Sequence, residues 1–337
     1  MVMKYYIDSN GYYALFDSDK GISFRGDING KNPFWKESGP ELLDISITNY
    51  CERECSFCYR KSNINGIHMD LSLYRRIIGE AKKLGVFQVA LGGGNPNQHP
   101  DFIDILRITK EIGIVPSYTT NGMGMTDSIF KATKMYAGAV AVSWYKPYDI
   151  PIRVINKCYE YGIPVNIHFI LSDDSIDEAY LLLEEKCLEK VNAIIFLNYK
   201  PLGLFKKEIL RSSNKLNKLL SRVLSFEKCK IGFDSCMISY LMPFTKSINL
   251  ESIDFCEAAR FSAFISEKGM MFPCSFMCGD GSKGYSIRDR EVGDIWKNAD
   301  SFKKYRSLLE VRSEKCIECS NFSVCHGGCR EFDINCN

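Results

Sequence analysis

The stretch Cys51-Glu-Arg-Glu-Cys55-Ser-Phe-Cys58 decides how the rest of the chain is read. Three thiols lie within eight residues, in C-x3-C-x2-C spacing, just after the apolar run from Leu42 to Thr48. Three thiolates on one short loop can hold three irons of a cubic iron–sulfur cluster and leave the fourth iron without a protein ligand. A structural zinc or a ferredoxin-type cluster wants a fourth protein ligand nearby. The next cysteine is Cys158, and His68 lies ten residues beyond Cys58. An iron with an open position can bind a substrate or cofactor. The loop by itself leaves two alternatives open, a zinc site completed by His68 and a set of redox-active thiols.

Composition narrows the setting of that loop. The 337 residues are 45% hydrophobic and 25% charged, enough for a real core and for more than one small domain. The 43 basic and 41 acidic residues leave a formal net charge of +2, which argues against nucleic acid or an anionic membrane as the main partner. The pairs Lys206-Lys207 and Lys303-Lys304 read as solvated helix faces. Met1 to Lys20 holds no sustained apolar stretch, and no run approaches the ~18–20 apolar residues of a membrane span. A cytoplasmic location with no membrane contact is expected. Fifteen cysteines in a reducing compartment then point to metal or cluster ligation rather than disulfides. Three of them lie at 51–58 and eight between 256 and 336.

Residues 1–40 read as a β-rich cap. Lys4-Tyr-Tyr-Ile and Tyr12-Tyr-Ala-Leu-Phe flank the turn signal Asp8-Ser-Asn-Gly11, and Ile22-Ser-Phe-Arg adds a third strand. From Leu42 to about Asp234 strand and helix alternate. Strands are expected at Leu43–Thr48, Val86–Leu91, Ile114–Thr119, Ala139–Trp144, Val165–Leu171, Ala193–Tyr199 and Lys230–Phe233. Helices are expected at Leu71–Leu84, Phe102–Ile112, Asp127–Tyr136, Ile152–Tyr161, Ile176–Glu189 and Lys206–Phe226, with Gly85, Gly113 and Gly162 closing three of them. Such alternation predicts an α/β fold, a partial (β/α)6 TIM-like barrel short of the eight units of a closed one. Chemistry in such folds sits at the C-terminal ends of the strands. The cysteine loop follows the first strand, Gly92-Gly-Gly-Asn-Pro96 the second, Thr119-Thr-Asn-Gly122 the third; Ser143-Trp-Tyr145 ends the fourth, and Asn166 to His168 lie in the fifth.

Residues 43–235 resemble the core of radical S-adenosylmethionine (SAM) enzymes. The cysteine loop matches that family's C-x3-C-x-(aromatic)-C, with Phe57 as the aromatic. Gly93-Gly-Asn95-Pro96 occupies the place of the family's Gly-Gly-Glu-Pro, the site of the methionine amino group. Asn95 departs from the pattern; it lacks the charge but keeps an oxygen that can accept a hydrogen bond. The resemblance implies SAM binding by Gly92, Gly93, Gly94, Asn95, Phe57, Asn121 and Ser143, a cluster on Cys51, Cys55 and Cys58, and a 5′-deoxyadenosyl radical that takes hydrogen from an unactivated carbon.

The tail carries a second pattern. Cys256, Gly269, Cys274, Cys316-x2-Cys319-x5-Cys325-x3-Cys329 and Cys336 resemble the seven-cysteine SPASM extension, as do Asp294-Ile-Trp296 and Gly327-Gly-Cys329. That likeness divides the chain into a cap (1–40), a barrel (41–235), a bridging region (236–255) and a SPASM domain (256–337). It implies two auxiliary [4Fe–4S] clusters, three in all. One would use Cys316, Cys319, Cys325 and Cys336, the other Cys256, Cys274 and Cys329. The fourth ligand of the latter is open between Cys236, Cys278 and a free iron, with Cys236 preferred; Cys236 is also a candidate hydrogen-atom donor. Paired cysteines are also used by zinc ribbons, so the tail alone would admit zinc. Cys158, Cys187 and Cys229 read as buried small hydrophobes.

Enzymes with this extension act mostly on peptides or proteins, forming crosslinks, epimerising or oxidising residues. The resemblance therefore implies a peptide or protein substrate and an electron donor such as flavodoxin or ferredoxin. A small-molecule oxidation or rearrangement and a non-catalytic iron–sulfur protein are the competing readings. Tyr118, Tyr145, His168, Tyr199 and Lys200 are candidates to line the cleft, His168 as a catalytic residue. The first 40 residues are shorter than a usual leader-binding domain, so recognition without a leader, or through another chain, is expected.

Overall fold

The computed structural model of the chain describes residues 3–18, 20–30, 33–203, 208–278 and 281–334. The turn Asp8–Gly11 makes the expected hairpin, with Gly11 at φ +89°, a conformation that glycine adopts without strain. Strands β1 (Met3–Ile7), β2 (Tyr12–Asp17) and β3 (Ile22–Asp27) form a three-stranded antiparallel sheet. Tyr12, Ala14 and Phe16 point inward, where Phe87 and Phe261 receive them.

The second sheet is the scaffold of the site. It is built by β4 (Leu42–Thr48), α1 (Leu71–Lys83), β5 (Gln88–Gly93), α2 (Phe102–Glu111), β6 (Val115–Thr120), α3 (Asp127–Tyr136), β7 (Ala139–Ser143), α4 (Asp149–Tyr161), β8 (Val165–Leu171), α5 (Ile176–Leu183), β9 (Ala193–Asn198), α6 (Asn214–Leu224) and β10 (Lys230–Phe233). The seven strands pair in parallel and in sequence order, so the chain makes six βα units and a final strand. Each helix buries one apolar stripe against the sheet, as Leu73, Tyr74, Ile77, Ile78 and Ala81 do on α1. Asp70 caps α1 by accepting from the Ser72 and Leu73 amides.

Two expected helices are shorter than their periodicity suggested. The stretch Ile176–Glu189 stops at Leu183, because Glu185 turns extended before a separate 3-10 turn over Lys186–Lys190. Lys206–Phe226 contracts to α6, whose start is set by Ser213 accepting from the Leu216 amide; Lys206 and Lys207 lie outside the described residues.

Beyond β10 come α7 (Ile238–Leu241), β11 (Ser262–Ile265), β12 (Met270–Phe272), β13 (Tyr285–Ser286), α8 (Val292–Asn298), α9 (Asp300–Glu310) and α10 (Phe322–Cys325). β11 pairs in parallel with β4, and β12 and β13 follow antiparallel, so the large sheet has ten strands in the order β10-β9-β8-β7-β6-β5-β4-β11-β12-β13. The cysteine-rich tail thus extends the barrel sheet at its first strand. Trp35 and Lys36 are wedged into the same seam. The Trp296 indole donates to the Lys36 carbonyl at 2.8 Å, Arg306 lies 3.6 Å over the Trp35 ring, and the Lys36 ammonium reaches the carbonyls just past the end of α1, Leu84 and Gly85. Trp296 is fully buried. Trp296→Ala is expected to cost about 3–5 kcal/mol, read as a lower denaturant midpoint; a loss below 1 kcal/mol would show that this seam does not hold tail to barrel.

Candidate cofactor and cluster sites

β4 ends at Thr48, and its hydroxyl accepts the Tyr50 amide at 2.9 Å to start the cysteine loop. The loop is closed at its base by Cys51 N–H to the Asn63 carbonyl at 3.0 Å, and Glu54 turns through φ +48° between the thiols. The end of β5 zips onto this base. Gly94 N–H donates to the Thr48 carbonyl at 2.7 Å and Asn95 N–H to the Tyr50 carbonyl at 2.9 Å. A Cβ on Gly93 would sit 1.9 Å from the Thr48 carbonyl oxygen, and one on Gly94 would sit 2.0 Å from that of Tyr50. Gly92, by contrast, faces open space. Two of the three glycines therefore serve the approach of β5 to the cysteine loop, and Gly92 leaves room in the lumen.

These contacts frame a cavity of ≈ 320 Å³ at the C-terminal ends of the strands, lined by Cys51, Cys55, Phe57, Cys58, Gly92, Gly93, Gly94, Asn121, Ser143 and His168 among others. Its volume is at the lower end of the ~300–1,000 Å³ of small-molecule sites. A larger cavity, ≈ 560 Å³, flanks β10 and holds none of these residues, so volume alone does not choose the site. Asn121 donates to the Cys51 sulfur at 3.3 Å. Phe57 meets Tyr145 edge-on at 5.3 Å, and the Arg53 guanidinium lies 4.2 Å over the Tyr145 ring. Burial pushes His168 down to about 4, so its imidazole is neutral near pH 7; its Nδ1 lies 3.3 Å from the Thr119 hydroxyl.

Asn95 is placed differently from the expectation. It does not line the cavity and is fully buried. Its oxygen accepts from the Thr120 hydroxyl at 3.1 Å and the Asn121 amide at 3.2 Å, while its NH2 donates to the Met123 carbonyl at 3.0 Å. Paired in this way, it ties β5 to the end of β6 and holds the segment that carries Asn121. Tyr118 also turns away, its hydroxyl 2.7 Å from Thr133 under α3. Tyr199 lines a separate small pocket with Phe57 and Tyr145. His68 binds the Thr48 hydroxyl through Nδ1 at 2.8 Å and packs against Tyr50 and His99.

The tail cysteines form two groups. The Cys236 thiol is hydrogen-bonded to Cys329, and Cys256 and Cys274 are its other thiol neighbours. Cys278 is elsewhere, bonded to Arg60. Cys316 and Cys319 neighbour Cys325; Cys336 lies outside the described residues. Among the described residues no three His, Cys, Asp or Glu side chains close on one point as a single ion requires. Cys158 is fully buried in the core, Cys187 nearly so and Cys229 half-buried.

An acidic cavity residue escaped the sequence reading. Asp44 lines the lumen from β4, and burial, with the Glu257 charge adding to it, pushes its carboxyl up to about 7. Its signal was present: Asp44, Ser46 and Thr48 alternate with Leu43, Ile45 and Ile47, so one face of an otherwise buried strand is polar. Ser46 continues that face, donating to Glu267, which Arg60 also pairs at 2.5 Å.

Comparison with known proteins agrees with this geometry. The sequence pattern of the Radical SAM superfamily matches residues 45–144. The chain carries a radical SAM domain. It is similar to the PqqA peptide cyclase of Methylobacterium sp. (strain 4-46), 22% identical over 325 residues that cover 86% of this chain and 81% of that protein. It is also similar to the GTP 3',8-cyclase of Clostridium perfringens (strain 13 / Type A), 27% identical over 237 residues, 58% of this chain and 73% of that one. In fold it is like Streptococcus suis SuiB, with TM-score 0.77 and 18% identity over 97% of this chain and 94% of that chain. SuiB bound to its precursor peptide SuiA gives TM-score 0.73 and 22% identity, over 87% and 72%. Among the described residues no helix of the radical SAM chain is long and apolar enough to cross a membrane.

Two outcomes follow from the cavity. Gly93→Ala, at φ +119° and against a backbone oxygen, is expected to cost about 1–3 kcal/mol or more and to lower iron retention by the Cys51–Cys58 loop. Full iron and an unchanged midpoint would contradict it. For Asp44 the folded-state value is raised above the model-peptide 3.8, so its contribution to stability is present at low pH and is lost as pH rises towards 7. Asp44→Asn removes that loss. The variant should gain on the wild type between pH 4 and pH 8, by up to about 4 kcal/mol; parallel denaturation curves for the two proteins across that range would refute it.

Proposed function

We propose that the chain binds SAM at a [4Fe–4S] cluster on Cys51, Cys55 and Cys58 and modifies a peptide or protein substrate, with two further [4Fe–4S] clusters in the tail. The observation that carries this reading is the cavity in which those three thiols meet Gly92, Gly93, Gly94, Asn121, Ser143 and His168. Cys51, Cys55 and Cys58 would hold the cluster, and SAM bound beside them would supply, with one electron from an external donor, radical chemistry able to take hydrogen from an unactivated carbon. The chain supplies placement and dryness. Asn121 steadies the Cys51 sulfur, Phe57 and Tyr145 wall the mouth, and Ser143 bonds to Tyr145 to set its ring. His168 stays uncharged and lends a neutral polar edge to the lumen. Asp44 is the carboxyl best placed to meet a polar group of the substrate.

A peptide substrate is supported by the likeness to PqqA peptide cyclase and to SuiB, over most of the chain in each case. The competing small-molecule reading is favoured by one observation, the likeness to GTP 3',8-cyclase, which covers little more than half of the chain. For the tail, the grouping of Cys236, Cys256, Cys274 and Cys329 supports Cys236 as the fourth ligand of the first auxiliary cluster. Cys316, Cys319 and Cys325 would hold the second, with Cys336 as the remaining ligand. The electron donor on this reading is a flavodoxin or ferredoxin, and the chain works in the cytoplasm.

The test is anaerobic reconstitution with SAM and a reductant. Release of 5′-deoxyadenosine, and a mass change in a candidate precursor peptide encoded nearby, are expected. No 5′-deoxyadenosine with any substrate would sink the catalytic reading. Turnover of a nucleotide and not of peptide would favour the competing one. The iron content should be roughly twelve per chain, falling by about a third in a Cys51/Cys55/Cys58→Ala variant and again in Cys236→Ala. A Cys236→Ala protein that keeps all its iron but loses turnover would make Cys236 a hydrogen donor instead.

A further inference from the structure

Past the end of β9 the chain runs through Tyr199 to Lys200 and enters the group of cysteines around Cys236. Lys200 is only 3% exposed. Its ammonium donates to the Asn198 carbonyl at 3.2 Å and bonds to the Cys236 thiol. Two rings screen it from water, Phe276 at 5.1 Å and Phe332 at 5.9 Å. The Asp234 carboxyl and the Cys236 and Cys329 thiols are its polar neighbours. Asp234 does not bond to it: one carboxylate oxygen accepts the Asn198 amide at 3.1 Å, and the other is buried without a partner. A buried ammonium lacking a bonded carboxylate is costly, by several kcal/mol, unless other negative charge compensates it. Four thiolates carrying an iron–sulfur cluster are net anionic and would supply that charge. Across the same group, the buried Tyr305 hydroxyl lies 3.6 Å from the Cys256 sulfur.

We propose that Lys200 and Tyr305 are positioning residues of the first auxiliary cluster, placed to donate to the Cys236 and Cys256 sulfurs and to raise its reduction potential. The inference rests on the reading of Cys236, Cys256, Cys274 and Cys329 as one ligand set. The physical ground is that cluster potentials follow net charge, hydrogen bonds to sulfur and exposure. Adding one electron makes the cluster more negative. A fixed cation and a hydroxyl donor at its sulfurs stabilise that reduced form more than the oxidised one. Lys200, a cation bonded to a ligand sulfur, carries the larger share; the Arg260 guanidinium also acts on Cys256, but it donates to that residue's carbonyl at 3.2 Å. Neither residue forms part of the cavity that holds the Cys51–Cys58 loop. Their effect is thus confined to the tail.

The test is a potentiometric titration followed by electron paramagnetic resonance on the reconstituted chain, in a Cys51/Cys55/Cys58→Ala background that silences the core cluster. Lys200→Met should shift one of the two remaining signals to lower potential by at least tenfold in the reduction equilibrium, 59 mV for a one-electron couple. Lys200→Arg should restore most of it, Tyr305→Phe should move the same signal by less in the same direction, and the other signal should stay put. Loss of one cluster's iron in Lys200→Met but not in Lys200→Arg would equally support a charge requirement. Full iron with an unmoved midpoint in Lys200→Met would overturn the inference, as would equal effects of Met and Arg. Iron for only one cluster in the starting background would instead remove the ligand set itself, and this inference with it.

Discussion

The cofactor site depends on how closely β5 approaches the backbone that follows β4. The Gly94 and Asn95 amides must reach the Thr48 and Tyr50 carbonyls, and no side chain fits between. That contact fixes where Cys51 begins relative to the lumen. Everything else at the mouth is set against it. Asn95 carries the constraint on to β6, because its amide holds Thr120, Asn121 and Met123, and Asn121 in turn reaches back to the Cys51 sulfur. The loop, two strand ends and the asparagines Asn95 and Asn121 form a closed circuit of short contacts. A change at any point is felt at the thiols.

The second dependency joins the tail to the barrel. β11 adds to the exposed edge of β4, so the cysteine-rich segment shares backbone hydrogen bonds with the strand that launches the cluster loop. Lys36, Trp35, Trp296 and Arg306 seal the other side of that joint. The consequence is a fixed relation between the cavity and the cysteines of the tail. A route for electrons needs such a relation, since the two sites must keep their separation while a substrate enters and leaves.

Much of the fold was legible because parallel strands buried on both faces read as apolar runs, and glycines mark the helix ends. Val165–Leu171, Asp127–Tyr136 and Lys230–Phe233 were read to the residue. Their ends coincide with turn chemistry. The helices at 176–189 and 206–226 were overdrawn, because apolar periodicity continues through a 3-10 turn and an extended lead-in that only caps and backbone geometry distinguish. β11 was not legible at all. Ser262–Ile265 is four residues long, and its partner β4 lies more than 200 residues earlier; no local signal announces such a pairing. At the site, spacing revealed the thiols and the strand-end residues. It did not reveal that Asn95 faces inward, that Gly93 and Gly94 serve the backbone, or that Asp44 lines the lumen. Those facts turn on side-chain direction, which follows the register of strands brought together across the chain.

The claim on which the account turns is that one iron of the Cys51–Cys58 cluster is open to SAM. Electron–nuclear double resonance on the reduced protein, with SAM labelled in its methionyl nitrogen and carboxylate oxygens, reads this directly. Couplings from both labels to the cluster, absent in the Cys51/Cys55/Cys58→Ala protein, are the predicted result. A reduced cluster whose spectrum is unchanged by saturating labelled SAM would contradict the account.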